Sequence, residues 1–154
     1  MKATEAKLLE FLKKSPQFVI PIYQRTYSWK TKECQQLWDD ILRCGSNAEI
    51  AAHFMGSVVY VEKGLYSVSS QSPLLVIDGQ QRLTTVTLLL AALVDTLGEQ
   101  QPVEGFTAKK IRDFYLTDPR EEGDSFFKLI LSQTDDKSLK AIIKGHDQPE
   151  DKSI

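Results

Sequence analysis

The sequence is poor in cysteine, in histidine and in long apolar runs, and each shortage excludes something. Its two cysteines, Cys34 and Cys44, stand ten residues apart in one helix-like segment. On a helix that spacing puts their Cα atoms about 15 Å apart, more than twice the reach of a disulfide. Two free thiols and the lack of a signal peptide fit a reducing, cytoplasmic compartment. The two histidines, His53 and His146, are far apart, and no zinc-ligand spacing occurs. The longest apolar run, Leu88 to Val94, falls well short of the ~20 residues of a membrane span, so no membrane partner is expected. An excess of one charge is also lacking: 19 Lys and Arg against 21 Asp and Glu give a net charge of −2. No global basic field advertises nucleic-acid binding. A local patch is still allowed, but a complete stand-alone DNA binder is not expected. There is no acidic tail, basic arm, internal repeat or low-complexity tract.

What is present is the composition of one globular domain: 154 residues, 42% hydrophobic and 26% charged, enough to bury a core. Apolar periodicity predicts a helix over 4–14, with Leu8, Leu9, Phe11 and Leu12 among its apolar positions. A short strand follows over 18–20, closed by Pro21. A second helix starts near Thr31 as N-cap and turns Cys34, Leu37, Trp38, Ile41 and Leu42 inward, with Gly45 to Asn47 at its end. A strand is expected over 54–61, strongest at 58–61, then a serine-rich turn or excursion over 64–72. Leu74 to Ile77 reads as a buried strand. The next helix, from about Gln80 to Leu97, is apolar nearly all round, and Gly98 is its natural stop. Beyond Pro102 the pattern gives a helix over 108–116, a strand over 126–131 and a helix over 138–144. Together these predict an α/β (α+β) fold, a small mixed sheet with packed helices, whose central helix starts at Gly79–Gln80. Residues 1–145 are expected to form the domain, and 146–154 a polar tail or the start of a linker to a further, C-terminal domain.

Three polar segments interrupt this apolar pattern. The first, Asp78-Gly79-Gln80-Gln81-Arg82, joins the buried strand to the central helix. Glycine at such a junction allows a tight turn and close backbone approach by a ligand. The first helical turn offers unpaired N–H groups to an anion, and Arg82 adds a planar fork suited to phosphate. The plainer alternative has Asp78 capping the helix and Arg82 pairing with a surface carboxylate. The second segment runs from Ile20 to Trp29. Gln24 and Arg25 are donors, and Tyr23, Tyr27 and Trp29 offer flat faces for a base; taken alone, the segment favours the plainer reading, with Tyr27 and Trp29 in the core and Arg25 in a salt bridge. The third, His53-Phe54-Met55-Gly56-Ser57, leads into a strand. His53 there reads more readily as structural than catalytic, and Ser57 lacks triad partners.

Taken in order, Pro21-x-Tyr23-Gln24-Arg25-x-Tyr27-x-Trp29, Leu37-Trp38-Asp39-Asp40-Ile41, Phe54-Met55-Gly56-Ser57 and Ile77-Asp78-Gly79-Gln80-Gln81-Arg82-Leu83-Thr84-Thr85 resemble the N-terminal domain of the GmrSD-type restriction endonucleases, itself similar to ParB and sulfiredoxin. The match runs over roughly residues 6–97, with a weaker continuation. The resemblance implies a bacterial, cytoplasmic role in phage defence, acting on DNA in the full-length context, often modified phage DNA. It implies binding and hydrolysis of a nucleoside triphosphate, GTP or ATP, with Mg²⁺. The Asp78, Gln80, Gln81 and Arg82 set would be catalytic; by its chemistry Asp78 either holds the metal, directly or through water, or acts as base. Tyr23, Gln24, Arg25, Gly56, Ser57, Gly79 and Thr84 would hold the nucleotide. Cutting would fall to a separate C-terminal His-Asn-His nuclease domain or subunit, and oligomers are allowed. The competing expectation is a non-catalytic ParB-like module that binds DNA or senses its modification through the same cleft. One carboxylate in the motif gives little support to a two-metal nuclease centre.

Overall fold

The computed structural model describes residues 2–62 and 72–145. Among these residues four short strands form one mixed sheet: β1 (Phe18–Val19), β2 (Val59–Glu62), β3 (Leu74–Asp78) and β4 (Leu129–Ile130), in the order β2-β3-β1-β4. β1 is parallel to both β3 and β4, while β2 runs antiparallel to β3 with an irregularity between Val59 and Tyr60. The helices are α1 (Leu8–Lys14), α2 (Thr31–Ser46), α3 (Gln80–Leu97), α4 (Ala108–Ile111) and α5 (Gln133–Lys144). The mixed α/β architecture is as expected. No helix among the described residues is long and apolar enough to cross a membrane. Most of the serine-rich stretch and all of the polar 146–154 segment lie outside the described residues.

Differences from the expected elements have local causes. The strand expected over 54–61 pairs only from Val59, because Gly56 takes a φ of 99° and the chain ahead of the ladder is irregular. The strand expected over 126–131 shrinks to two residues, since Gly123–Phe126 coils into a 3₁₀ turn. The helix expected over 108–116 is α4 running on into a π-helical turn at Arg112–Leu116. α5 starts at Gln133 rather than at 138. Its first turn carries Asp135 and Asp136, which suit a helix N-terminus, and Asp136 Oδ1 accepts the Leu131 N–H at 3.1 Å.

α3 has the expected bounds and stops at Gly98, whose N–H bonds the Val94 carbonyl. Its first two turns are buried on nearly every side, and Thr84, Thr85 and Thr87 survive there because each hydroxyl donates to the carbonyl four residues back. Its second half is amphipathic, with Leu93 exposed. Leu74 and Val76 are buried, whereas Ile77, on the other face of β3, is exposed, so this strand is covered on one face more than on the other. The apolar face expected of α2 is only partly used. Leu37 is buried, yet Trp38 is 44% and Leu42 50% exposed.

The one charge inside the β4 region caps another element. Lys128 is buried, and its Nζ donates to the carbonyls of Ser15 (2.7 Å), Lys13 (3.2 Å) and Leu12 (3.4 Å), at the C-terminal end of α1. Burial holds its pKa below the ordinary lysine value, and nearby Asp118 offsets part of that. Lys128→Met leaves these carbonyls without their donor. We expect a loss of about 1–3 kcal/mol in urea unfolding, the cost of unsatisfied buried groups. A midpoint equal to the parent's would show that water replaces the ammonium.

Candidate functional site

The site begins at the turn from β3 into α3. Gly79 there adopts φ 94°, a left-handed conformation that side chains rarely take. A Cβ on Gly79 would lie 3.0 Å from the Ser57 carbonyl oxygen and 3.2 Å from Val58. Its N–H goes to Asp78 Oδ1 at 2.8 Å. No side chain caps α3, and the Leu83 N–H is the first to reach back, to the Gly79 carbonyl at 3.0 Å. The N–H groups of Gln80, Gln81 and Arg82 therefore head the helix without intrahelical acceptors.

Arg82 is seated by the third polar segment. Its Nη1 donates to the Ser57 carbonyl at 2.8 Å, and its guanidinium lies flat against Gly56. A Cβ on Gly56 would come within 2.7 Å of Arg82 Cζ and Nη1. Gly56 and Ser57 thus position Arg82 at the edge of the cleft. His53 Nε2 lies 3.5 Å from Asp40 Oδ2 on α2, and Asp40 also takes Arg43. This is a structural setting for the histidine.

The loop between β1 and α2 is tied to the same turn from the other side. Gln24 Nε2 donates to the Ile77 carbonyl at 3.0 Å, and Gln80 Nε2 reaches the Arg25 carbonyl at 3.4 Å. Gln81 uses both ends of its amide. Oε1 accepts the N–H groups of Ser28 (2.8 Å) and Trp29 (3.3 Å), and Nε2 donates to the Thr26 carbonyl (3.1 Å). Tyr27 extends the tie through its hydroxyl, 2.9 Å from Thr85 Oγ1 and 3.4 Å from Cys34 Sγ. Because the Thr85 hydroxyl donates to the Gln81 carbonyl, it receives the Tyr27 O–H. Burial, reinforced by the Cys34 contact, pushes the Tyr27 pKa up to about 12, so the phenol stays protonated as that donor. The Tyr27 N–H is held by Asp135 Oδ2, from the first turn of α5, at 2.6 Å.

These ties enclose a cleft of about 260 Å³ whose walls include Gln24, Arg25, Trp29, Asp78, Gln80 and Arg82. Among the described residues, two guanidinium groups, one carboxylate, a flat indole and the head of α3 line one space. Among the described residues the Arg25 guanidinium makes no hydrogen bond or ion pair. Tyr23 is 73% exposed and does not line the cleft. Thr84 lines a smaller neighbouring recess, together with Asp135. Asp135 belongs to none of the three polar segments of the sequence. Its one local signal, Ser132-x-x-Asp135 ahead of an apolar helix, reads as a capping pattern. No three or more His, Cys, Asp or Glu side chains gather as a metal cluster among the described residues.

A family model described as the GmrSD restriction endonuclease, N-terminal domain, matches residues 7–153. No curated protein matches the chain.

Proposed function

The chain belongs to the family of GmrSD restriction endonuclease N-terminal domains, and on that premise we propose that its cleft binds and hydrolyses a nucleoside triphosphate, GTP or ATP, as the regulatory domain of a DNA-targeting restriction enzyme. In this reading the nuclease chemistry and the main DNA contacts belong to a C-terminal domain or subunit. The observation that carries it is the convergence of Arg25, Arg82 and the uncapped head of α3 on one polar cleft. Two guanidinium forks and a helix N-terminus are an arrangement for phosphate. Near 260 Å³, the cleft is slightly below the ~300–1,000 Å³ usual for small-molecule pockets. That suits a triphosphate tail, with the base at the open side beside Trp29.

The donor set fits one magnesium ion. Asp78 is the one carboxylate lining the cleft among the described residues, and Mg²⁺ commonly takes one or two carboxylates, with phosphate oxygens and water completing its shell. When bound, the ion would neutralise charge on the phosphates. The remaining work falls to this chain's own groups. Arg82, held by Ser57 and Gly56, grips a phosphate from one wall, and Arg25 grips it from the other. Gln80 sits at the phosphate end, and Gln81 fixes the loop that carries Gln24 and Arg25.

Calorimetric titration of the chain with GTP and with ATP, each with Mg²⁺, tests this. Arg25→Ala is expected to weaken binding about 10- to 100-fold, the worth of a charge-assisted contact of roughly 1.5–3 kcal/mol. Its unfolding midpoint should be unchanged. Failure of the parent chain to bind either nucleotide would sink the proposal. Duplex DNA binding that falls steeply with salt and is lost in Arg25→Ala would assign the cleft to DNA phosphates instead.

A further inference from the structure

Beside the cleft lies a second chamber of about 10 Å³, which shares Arg25, Gln80 and Gln81 as walls with the first. Its volume is that of a single ordered water, which needs roughly 10–15 Å³ and two to four polar partners. Thr84, Ser132 and Asp135 supply such partners. All three are buried, and Asp135 is only 1% exposed. The two chambers divide the carboxylates between them: Asp78 lines the cleft, and Asp135 lines the recess.

We infer that the recess seats the water that attacks the terminal phosphate, and that Asp135 is the general base that takes its proton. This rests on the hydrolysis proposed above. The Thr84 hydroxyl donates to the Gln80 carbonyl at 2.8 Å, so its oxygen is left to accept from the water. Asp135 accepts the Tyr27 N–H through Oδ2, and a carboxylate, with about four lone-pair positions, takes several partners at once, the water among them. Arg25, Gln80 and Gln81 line both spaces, so a water that donates to Thr84 and Asp135 stands next to the space proposed for the phosphate. As the water oxygen bonds to phosphorus, the bond to the bridging oxygen breaks and its electron pair leaves on the nucleoside diphosphate. The water's proton passes to the Asp135 carboxylate and from there to solvent. Asp78 is then free to serve the metal. A second carboxylate arrives by the fold where the motif supplies only one.

Asp135→Asn keeps an oxygen for the Tyr27 N–H and removes the base. In the chain titrated with Mg-GTP and Mg-ATP, turnover of whichever nucleotide the parent hydrolyses should fall about 10²- to 10⁴-fold, the usual worth of general base catalysis. The nucleotide Kd should stay within about 3-fold. Turnover within a few-fold of the parent, or a loss of affinity as large as the loss of turnover, would overturn the assignment. A parent chain that binds nucleotide without hydrolysing it overturns both this assignment and the hydrolysis it rests on, whereas a parent that binds neither nucleotide fails the underlying binding reading. If Asp135→Asn does not fold, the near-isosteric Thr84→Val carries the test. Reduced turnover with binding retained supports the seated water, and unchanged turnover overturns it.

Discussion

Gly79→Ala is expected to destabilise the chain by about 2–5 kcal/mol and to abolish the proposed nucleotide binding in the cleft. Two costs add. At φ 94° an L side chain meets its own backbone, at roughly 1–2 kcal/mol. The new Cβ would also sit 3.0 Å from the Ser57 carbonyl oxygen and 3.2 Å from Val58. Those are backbone and β-branched neighbours with little room to yield, and overpacking of this kind costs about 1–3 kcal/mol. Relief means moving Ser57, and Ser57 holds Arg82. Urea unfolding reads the first consequence and calorimetry with Mg-GTP and Mg-ATP the second. A loss below about 0.5 kcal/mol would mean that the turn relaxes without strain.

Gln81→Leu should be nearly as damaging, at about 2–4 kcal/mol. Gln81 is 7% exposed and makes three hydrogen bonds to the backbone of residues 26–29. Leucine has a similar volume but leaves two N–H groups and a carbonyl without their partner, each worth about 1–3 kcal/mol where water cannot reach. Some of these groups are near enough to solvent to be rescued, which keeps the total below the sum. The loop carrying Gln24, Arg25 and Trp29 should loosen, so affinity for the proposed nucleotide should fall while α3 stays formed. Hydrogen exchange checks this: the amides of Ser28 and Trp29 should lose protection, and those in the middle of α3 should not. Gln81→Glu should fall between, keeping the acceptor for Ser28 and Trp29 while facing the Thr26 carbonyl with a repelling oxygen.

Both effects rest on residues whose importance showed in the sequence in different degrees. The turn at Gly79 was legible, because an apolar strand, a glycine and an apolar helix in succession leave little else for the backbone to do. The bounds of α3 followed from Gly79 and Gly98 for the same local reason. Gln81 was legible as a polar residue in a costly place, but not as the clamp on residues 26–29, since nothing local says which carbonyl a buried amide will find. α2 was legible as a helix, yet its periodic face overstated its burial. Periodicity shows which residues are able to face a core, and Trp38 and Leu42 remain exposed because the described elements do not cover them. Lys128 read as one charge in a strand and proved to be the cap of a helix more than a hundred residues earlier.

By itself the sequence determined the small mixed α/β fold, the family and the polar strand-to-helix turn at Asp78–Arg82. Those depend on near-neighbour periodicity, turn chemistry and contiguous motifs. Tertiary structure alone decided that Gly56 and Ser57 seat Arg82, that Gln81 braces the Arg25 loop, and that Asp135 stands behind it. Those contacts join residues 25 to more than 100 positions apart. They exist because buried polar groups must find partners, and the packing of the sheet and helices chooses which ones come within reach.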